Sequence, residues 1–364
     1  MRSEIWLVIG TRPEAIKLAP LVHAIGLRGL KARLVVTGQH PHLEPADHGI
    51  DGTDSIRLRC AGGADPYDHS RAVEFALRPY LRERPKLLVV QGDTSSAYGA
   101  AKAAFIEGIP VAHVEAGLRT YDPQQPWPEE EFRTAIDARS LLLFAPTEVS
   151  AANLTRERLP GEIHVTGNTG IDALLAAEAA LPRRQQSDRV RPKLLVTCHR
   201  REIWGAPLLG IGEALRRIAG DGRANIDLVL HPNPRVAEPL QQLVARHPAI
   251  RLRDPLSHSD LIAAMRDSDL ILSDSGGIQE EAPALGIPLL VLREKTERPE
   301  AIASGNAKLV GITPTRIIDE VEQLLADPTA LAAMAKPAFP FGDGRSAPRI
   351  ATLIATWLDR PRSR

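Results

Sequence analysis

The sequence predicts an α/β fold in two domains, each built on a parallel sheet with helices on its faces. Two observations carry the prediction. Short apolar runs rich in Val, Ile and Leu alternate with longer amphipathic stretches along the chain, and runs apolar on both faces suit strands that are covered on both sides. At 364 residues the chain also exceeds one typical domain, and a polar segment bounded by prolines, LPRRQQSDRVRP at 181–192, interrupts the rhythm. Together they imply two Rossmann-like domains facing each other across a cleft.

Six strands are predicted before that segment: IWLVIG (5–10), ARLVVTG (32–38), KLLVVQGD (86–93), IPVAHVEAG (109–117), LLLFAPT (141–147) and IHVTGN (163–168). After it the pattern restarts with KLLVTCH (193–199), IDLVLHP (226–232), IRLRDP (250–255), LILSDS (270–275), IPLLVL (287–292) and AKLVG (307–311). The expected domains are therefore 1–180 and 193–345, with 181–192 as linker. A last helical stretch, APRIATLIATWLDR (347–360), places a C-terminal helix in 346–364 that could pack back on the first domain. No repeat of 20–50 residues and no low-complexity tract occurs.

Composition narrows the function. With 45 basic and 45 acidic residues, no global field draws the chain to nucleic acid or a membrane surface. Aromatic residues make up 4%, too few for a base-stacking single-strand binder. The two cysteines, Cys60 and Cys198, match no metal spacing and no disulfide framework, so a reducing cytoplasm is the expected setting. The N-terminal apolar run is too short for a secretory signal, and no stretch approaches the roughly 20 apolar residues of a membrane span.

In open α/β sheets ligands bind at the carboxyl ends of the strands, and here the chemically loaded residues follow strand after strand. GTRPEAIK after the first strand offers a glycine turn, Pro13 at a helix start and Arg12, placed to reach an anion near a helix N-terminus. QGDTSS brings Asp93 to the third strand's end; HVEAGLRT adds His113, Glu115 and Arg119; PWPEEEFR adds Glu129, Glu130, Glu131 and Arg133. In the second half TCHRREIWG supplies His199, Arg200, Arg201 and Glu202, and REKTERPEA supplies Arg293, Glu297, Arg298 and Glu300. SDSGGIQEE (273–281) places Ser275, Gly276 and Gly277 where bare backbone amides at a helix start can meet a phosphate, with Glu280 and Glu281 close by.

Each group has a plainer role available. Asp93 or Asp274 could simply cap a helix, the glutamates of SDSGGIQEE could favour its positive end, and HRRE could be a surface charge run. Cys198 beside His199 is an improbable nucleophile pair, since adjacent strand residues face opposite ways. The coincidence at strand after strand favours function, with acid–base chemistry in the first domain and nucleotide or phosphate holding mainly in the second. Neither GxGxxG after the first strand nor a P-loop occurs, and no metal spacing such as HExxH is present. An enzyme acting on a nucleotide-sugar fits best.

The blocks GTRPEAIKLAPL, GDT, HVEAGLRT, PWPEE, FAPTE, VTGNTGIDAL, HRRE, SDSGGIQEEAPALGIPLLVLREKTERPEA and FGDGRSAPRI make the chain resemble the non-hydrolysing UDP-N-acetylglucosamine 2-epimerase family, in the family's order and over essentially the whole chain. The resemblance implies a GT-B-type fold, a homodimer, and interconversion of UDP-GlcNAc and UDP-ManNAc with no metal or nicotinamide cofactor. It further implies loss of the C2 proton and of UDP to give 2-acetamidoglucal, followed by reprotonation from the other face and re-addition of UDP. On matching positions it implies Asp93, Glu115 and Glu129 as acid–base groups, and His199 and Arg12 near the diphosphate. The same match makes Lys17, Arg133 and Arg298 substrate-binding, with Ser275, Gly276 and Gly277 donating to phosphate and Glu281 accepting from the ribose. Some bacterial members need UDP-GlcNAc at a second, activating site beside the stretch where this chain keeps Gln39 and His40.

This chain departs from the family at Phe132 and Ile203, where an Asn is usual in each case. Both changes remove side-chain hydrogen bonding near the presumed cleft and would fit a modified substrate such as a UDP-diacetamido-uronic acid. A GT-B glycosyltransferase shares the fold and nucleotide seat, but its acceptor site need not carry three carboxylates at strand ends. A silent nucleotide-sugar binder would be expected to lose one of those groups, and all three are present.

Overall fold

The computed structural model describes residues 4–182, 189–198, 200 and 203–360. They form two compact units, one within Met1–Ala173 and Phe341–Arg364, the other within Leu174–Pro340. No helix among the described residues is long and apolar enough to cross a membrane.

The first unit is built on strands β1 (Ile5–Ile9), β2 (Ala32–Val36), β3 (Ser55–Arg57), β4 (Leu87–Gln91), β5 (Val111–Val114), β6 (Leu142–Ala145) and β7 (Glu162–Val165). All pair in parallel, in the order β3-β2-β1-β4-β5-β6-β7. Alternation explains why β1 is apolar throughout and β4 is apolar over residues 87–90. Ile5, Leu7, Ile9, Leu87 and Val89 face one side, against Leu18, Leu21 and Ile25 of helix α1 (Arg12–Leu27). Trp6, Val8, Leu88 and Val90 face the other, against α2 (Pro66–Leu81) and the alanine-rich α3 (Ser95–Glu107). Among the described strands β3 is the one that apolar periodicity does not predict, because in Ser55–Arg57 only Ile56 is apolar and buried.

The unit continues through α4 (Glu129–Asp137), α5 (Glu148–Arg156) and the first turn of α6 (Thr169–Ala180), whose remainder belongs to the second unit, and the chain returns to the first with α14 (Ser346–Leu358). Ile350 and Ile354 of α14 join the core beside α1. The start of α14 is held by Asp172, whose carboxylate accepts from the backbone amides of Ser346 at 3.1 Å and Ala347 at 2.8 Å. These are first-turn amides with no intrahelical partner. Replacing Asp172 by Ala is expected to destabilise the unit by about 1–2 kcal/mol. A lower urea midpoint, with earlier proteolytic release of the C-terminal segment, would check it.

The second unit repeats the plan with β8 (Lys193–Thr197), β9 (Asn225–Val229), β10 (Ile250–Arg253), β11 (Leu270–Ser273), β12 (Leu289–Val291) and β13 (Ala307–Leu309). They are again parallel, ordered β10-β9-β8-β11-β12-β13. Leu194, Val196 and Leu228 pack with Ile211, Leu215 and Ile218 of α7 (Ala206–Gly220), Leu240 of α8 (Pro234–Val244), and Ile317 and Val321 of α12 (Pro314–Ala326). Helices α9 (His258–Arg266), α11 (Pro299–Ala303) and α13 (Pro328–Met334) complete the unit with α10 (Gly276–Leu285), which follows β11 directly. Both units are thus the doubly wound α/β folds that the sequence predicts.

Candidate functional site

The turn after β1 is shaped by its own sequence. Thr11 caps α1, and Glu14, three residues on, reaches back to it in a capping box. Glu14 Oε2 accepts from the amides of Gly10 at 2.8 Å and Thr11 at 2.7 Å, while Oε1 accepts from the Thr94 hydroxyl at 2.6 Å. Burial raises the Glu14 carboxyl above its ordinary value despite these donors. Gly10 has no room for a side chain: a Cβ there would lie 1.9 Å from Ser96 Oγ and 2.4 Å from Thr37 Oγ1. The turn therefore presents Arg12 from a fixed backbone, with the Arg12 amide 3.3 Å from His40 Nδ1. Burial, and secondarily the Arg12 charge, lower the pKa of His40.

Asp93 and Glu115 lie just beyond the ends of the neighbouring strands β4 and β5. Glu115 is buried and sits in the left-handed region at φ 73°, a backbone state few residues other than glycine adopt. Its Oε2 accepts from Lys17 Nζ of α1 at 2.7 Å and from the Gln91 amide. Asp93 pairs through Oδ2 with Arg133 Nη2 of α4 at 2.5 Å. Glu129 opens the same helix one turn before Arg133. Glu130 is buried and accepts from the amides of Thr120 at 2.9 Å and Tyr121 at 2.8 Å, so it shapes the preceding loop. Asp93, Glu115, Lys17 and Arg133 are thus joined in two ion pairs at the carboxyl edge of one sheet.

His113 and Arg119, two further candidates from the sequence, are buried. His113 Nδ1 lies 2.6 Å from Asp137 Oδ1, and Nε2 lies 2.8 Å from the Gly92 carbonyl. Arg119 donates to Asp137 Oδ2 at 2.8 Å and to Glu157 at 2.8 and 2.7 Å. Neither side chain is exposed enough to meet a ligand.

In the second unit Ser275 caps α10, and Gly276 and Gly277 are its first two residues. Glu280 and Glu281 stand in the second turn, so they do not serve the helix's positive end. Glu280 instead binds Arg298 Nε at 2.6 Å. Buried Glu297 gathers three cations: Arg298, Arg293 at 2.8 Å and Arg200 at 3.3 Å. Arg298 lies directly behind Gly276, where a Cβ would come within 2.8 Å of its Nη1. Glu281 Oε1 is 3.5 Å from His258 Nε2. His199, Arg201 and Glu202 lie outside the described residues. Cys198 is fully buried, and burial pushes its thiol well up, which removes it as a nucleophile.

The two departures from the family pattern are both buried side chains. Phe132 is 1% exposed, stacked on Tyr98 at 4.4 Å and edge-on to Tyr67 at 5.2 Å. Ile203 is 3% exposed and belongs to the second unit's apolar core. Both side chains are packed inside their units. Sequence reasoning also passed over Glu14, Gln91 and Asp137. The TRPE spacing could have revealed Glu14 as a capping-box residue, whereas nothing local marks the other two.

A family model described as UDP-N-acetylglucosamine 2-epimerase matches residues 25–355. The UDP-N-acetylglucosamine 2-epimerase of Salmonella typhimurium is 40% identical over 96% of this chain and 98% of its own. Among solved structures, the Neisseria meningitidis UDP-GlcNAc 2-epimerase bound to UDP-GlcNAc superposes with a TM-score of 0.88 at 35% identity, covering 97% of this chain and 99% of that one. The Methanocaldococcus jannaschii UDP-GlcNAc 2-epimerase in complex with UDP-GlcNAc and UDP gives 0.84 at 31% identity, with the same coverage of 97% and 99%. This chain belongs to the UDP-N-acetylglucosamine 2-epimerase family.

Proposed function

We propose that this protein interconverts UDP-GlcNAc and UDP-ManNAc by inverting C2 of the sugar. The observation that carries the reading is the pairing of two carboxylates, Asp93 and Glu115, with Arg133 and Lys17 at the end of one sheet in a member of this family. Inversion at C2 needs a base on one face and an acid on the other, so at least two proton-transfer groups must flank the sugar. In the elimination, one such group takes the C2 proton as the C1–O bond to UDP breaks, giving 2-acetamidoglucal and UDP. In the return step C2 receives a proton on the opposite face and UDP re-forms its bond to C1. Asp93, Glu115 and Glu129 share these roles. Lys17 and Gln91 hold the Glu115 carboxylate in one orientation, and Arg133 does the same for Asp93.

The second unit holds the nucleotide in this reading. The first amides of α10 and the Ser275 hydroxyl donate to phosphate, Arg298 and Arg12 offset the leaving group's charge, and Glu281 accepts from the ribose. His199 serves the diphosphate in the same proposal. The family resemblance extends it to a cytoplasmic homodimer that needs no cofactor and supplies ManNAc units for surface polysaccharide; a sedimentation mass of two chains tests the dimer.

Proton NMR with UDP-GlcNAc in D2O tests the reaction. A UDP-ManNAc anomeric signal with deuterium at C2 is the expected result. Free ManNAc plus UDP would replace the proposal with hydrolysis, and an unchanged spectrum would overturn it for this sugar. The nucleotide seat is tested by Gly276→Ala. Its Cβ would press on Arg298, which Glu280 and Glu297 hold in place, and loss of a charge-assisted contact should raise the Kd for UDP about tenfold or more in calorimetry.

A further inference from the structure

We propose that His113 is a doubly protonated, cationic positioning residue that fixes both carboxylate-bearing turns of the first unit for the epimerisation proposed above. The side chain is fully buried on β5, two residues before Glu115. Its Nε2 faces the Gly92 carbonyl at 2.8 Å, and a carbonyl can only accept, so Nε2 carries a proton. Its Nδ1 faces Asp137 Oδ1 at 2.6 Å. Asp137 also accepts from the Gly117 amide at 3.1 Å and from Arg119 at 2.8 Å. The permanently charged Arg119 guanidinium beside Asp137 favours its anion, so we assign a proton to Nδ1 as well. With both nitrogens committed to acceptors and no exposure, the ring neither gives nor takes a proton in the reaction.

What the ring holds is specific. The Gly92 carbonyl immediately precedes Asp93, and Gly92 itself has φ 64°. On the far side of the ring Asp137 grips the amide of Gly117, two residues past Glu115, whose own φ is 73°. One imidazolium and its carboxylate thus pin the turns that carry Asp93 and Glu115, one of them in a backbone state that persists only when its surroundings enforce it. Charge balances in the cluster: His113 on β5 and Arg119 in the loop after it face Asp137 on α4 and Glu157 at the end of α5. Beside an ionised Asp137, a neutral ring would leave either the Gly92 carbonyl or the carboxylate facing a lone pair.

Two measurements test this. In protein carrying 15N-labelled histidine, the ring with through-space contacts to the Gly92 backbone should show one-bond couplings to protons on both nitrogens at neutral pH. A single protonated nitrogen would overturn the proposal. In His113→Gln the amide can donate to only one of the two acceptors. The kcat for UDP-GlcNAc should fall about tenfold to a hundredfold, as expected when reacting groups shift by about 1 Å, while KM and the Kd for UDP move less than about threefold. Unchanged kcat, or equal losses in UDP binding, would overturn the positioning role. Wild-type protein assayed alongside separates the two readings: no UDP-ManNAc from the wild type defeats the functional reading, whereas turnover equal in both proteins defeats only this one. If His113→Gln does not fold, the ring spectrum of the wild type decides.

Discussion

Asp93→Asn and Glu115→Gln are each expected to lower turnover by about 100-fold or more, the range for losing an acid–base group, with UDP affinity nearly unchanged. Each substitution keeps shape and removes the charge and the ability to take up a proton. Gln at 115 can still accept from Lys17, and Asn at 93 can still accept from Arg133, so the turns should hold and the loss should fall on chemistry. The UDP seat proposed for α10 lies in the other unit, which is why nucleotide affinity should survive. Steady-state rates paired with UDP calorimetry check both halves. Near-normal turnover in both variants would remove the proposed mechanism.

Asp137→Ala should produce the largest loss of stability, about 3–5 kcal/mol, because it strips a buried anion from two cations that stay behind. Arg119 would keep Glu157, but His113 would face an empty space on its Nδ1 side. For a unit of this size the thermal midpoint should fall by on the order of 10 °C. The acid limb of stability offers a second check. Burial by itself would raise the Asp137 carboxyl, but His113 and Arg119 outweigh it and hold the group below its ordinary value. A depressed carboxyl contributes stability above the unfolded value of about 4, and that contribution is lost as pH falls through the folded value. Denaturant midpoints should therefore drop at acid pH in the wild type and more shallowly in Asp137→Asn. Parallel acid limbs would show that the group is not linked to folding in this way.

The strands of both units were legible because a strand covered on both faces must be apolar at every position, as in β1 and residues 87–90 of β4, and that pattern needs no knowledge of partners. Strand β3 leaves no mark because Ile56 is its single apolar residue, between Ser55 and the exposed Arg57. The glycine–glycine start of α10 was read correctly as a helix entry. The plainer role for the two glutamates after it, favouring the helix's positive end, does not hold, because Glu280 serves Arg298 and Glu281 lies near His258, both on segments outside that helix. Phe132 and Ile203 read in the sequence as losses of hydrogen bonding near the presumed cleft, and packing shows that both are buried.

By itself the sequence determined the alternation of strands and helices, the helix entries near Pro13 and Ser275, the family resemblance, and which residue types crowd the strand ends. Those features rest on periodicity and on contacts within about four residues. Only the tertiary structure decided that Lys17 meets Glu115, 98 positions away, that Thr94 reaches Glu14 across 80, and that His113 meets Asp137 across 24. Such pairings depend on which strands lie side by side and on which side chains lose water there. Parallel order sets both, because it brings the ends of β1, β4 and β5 together while their sequences lie far apart.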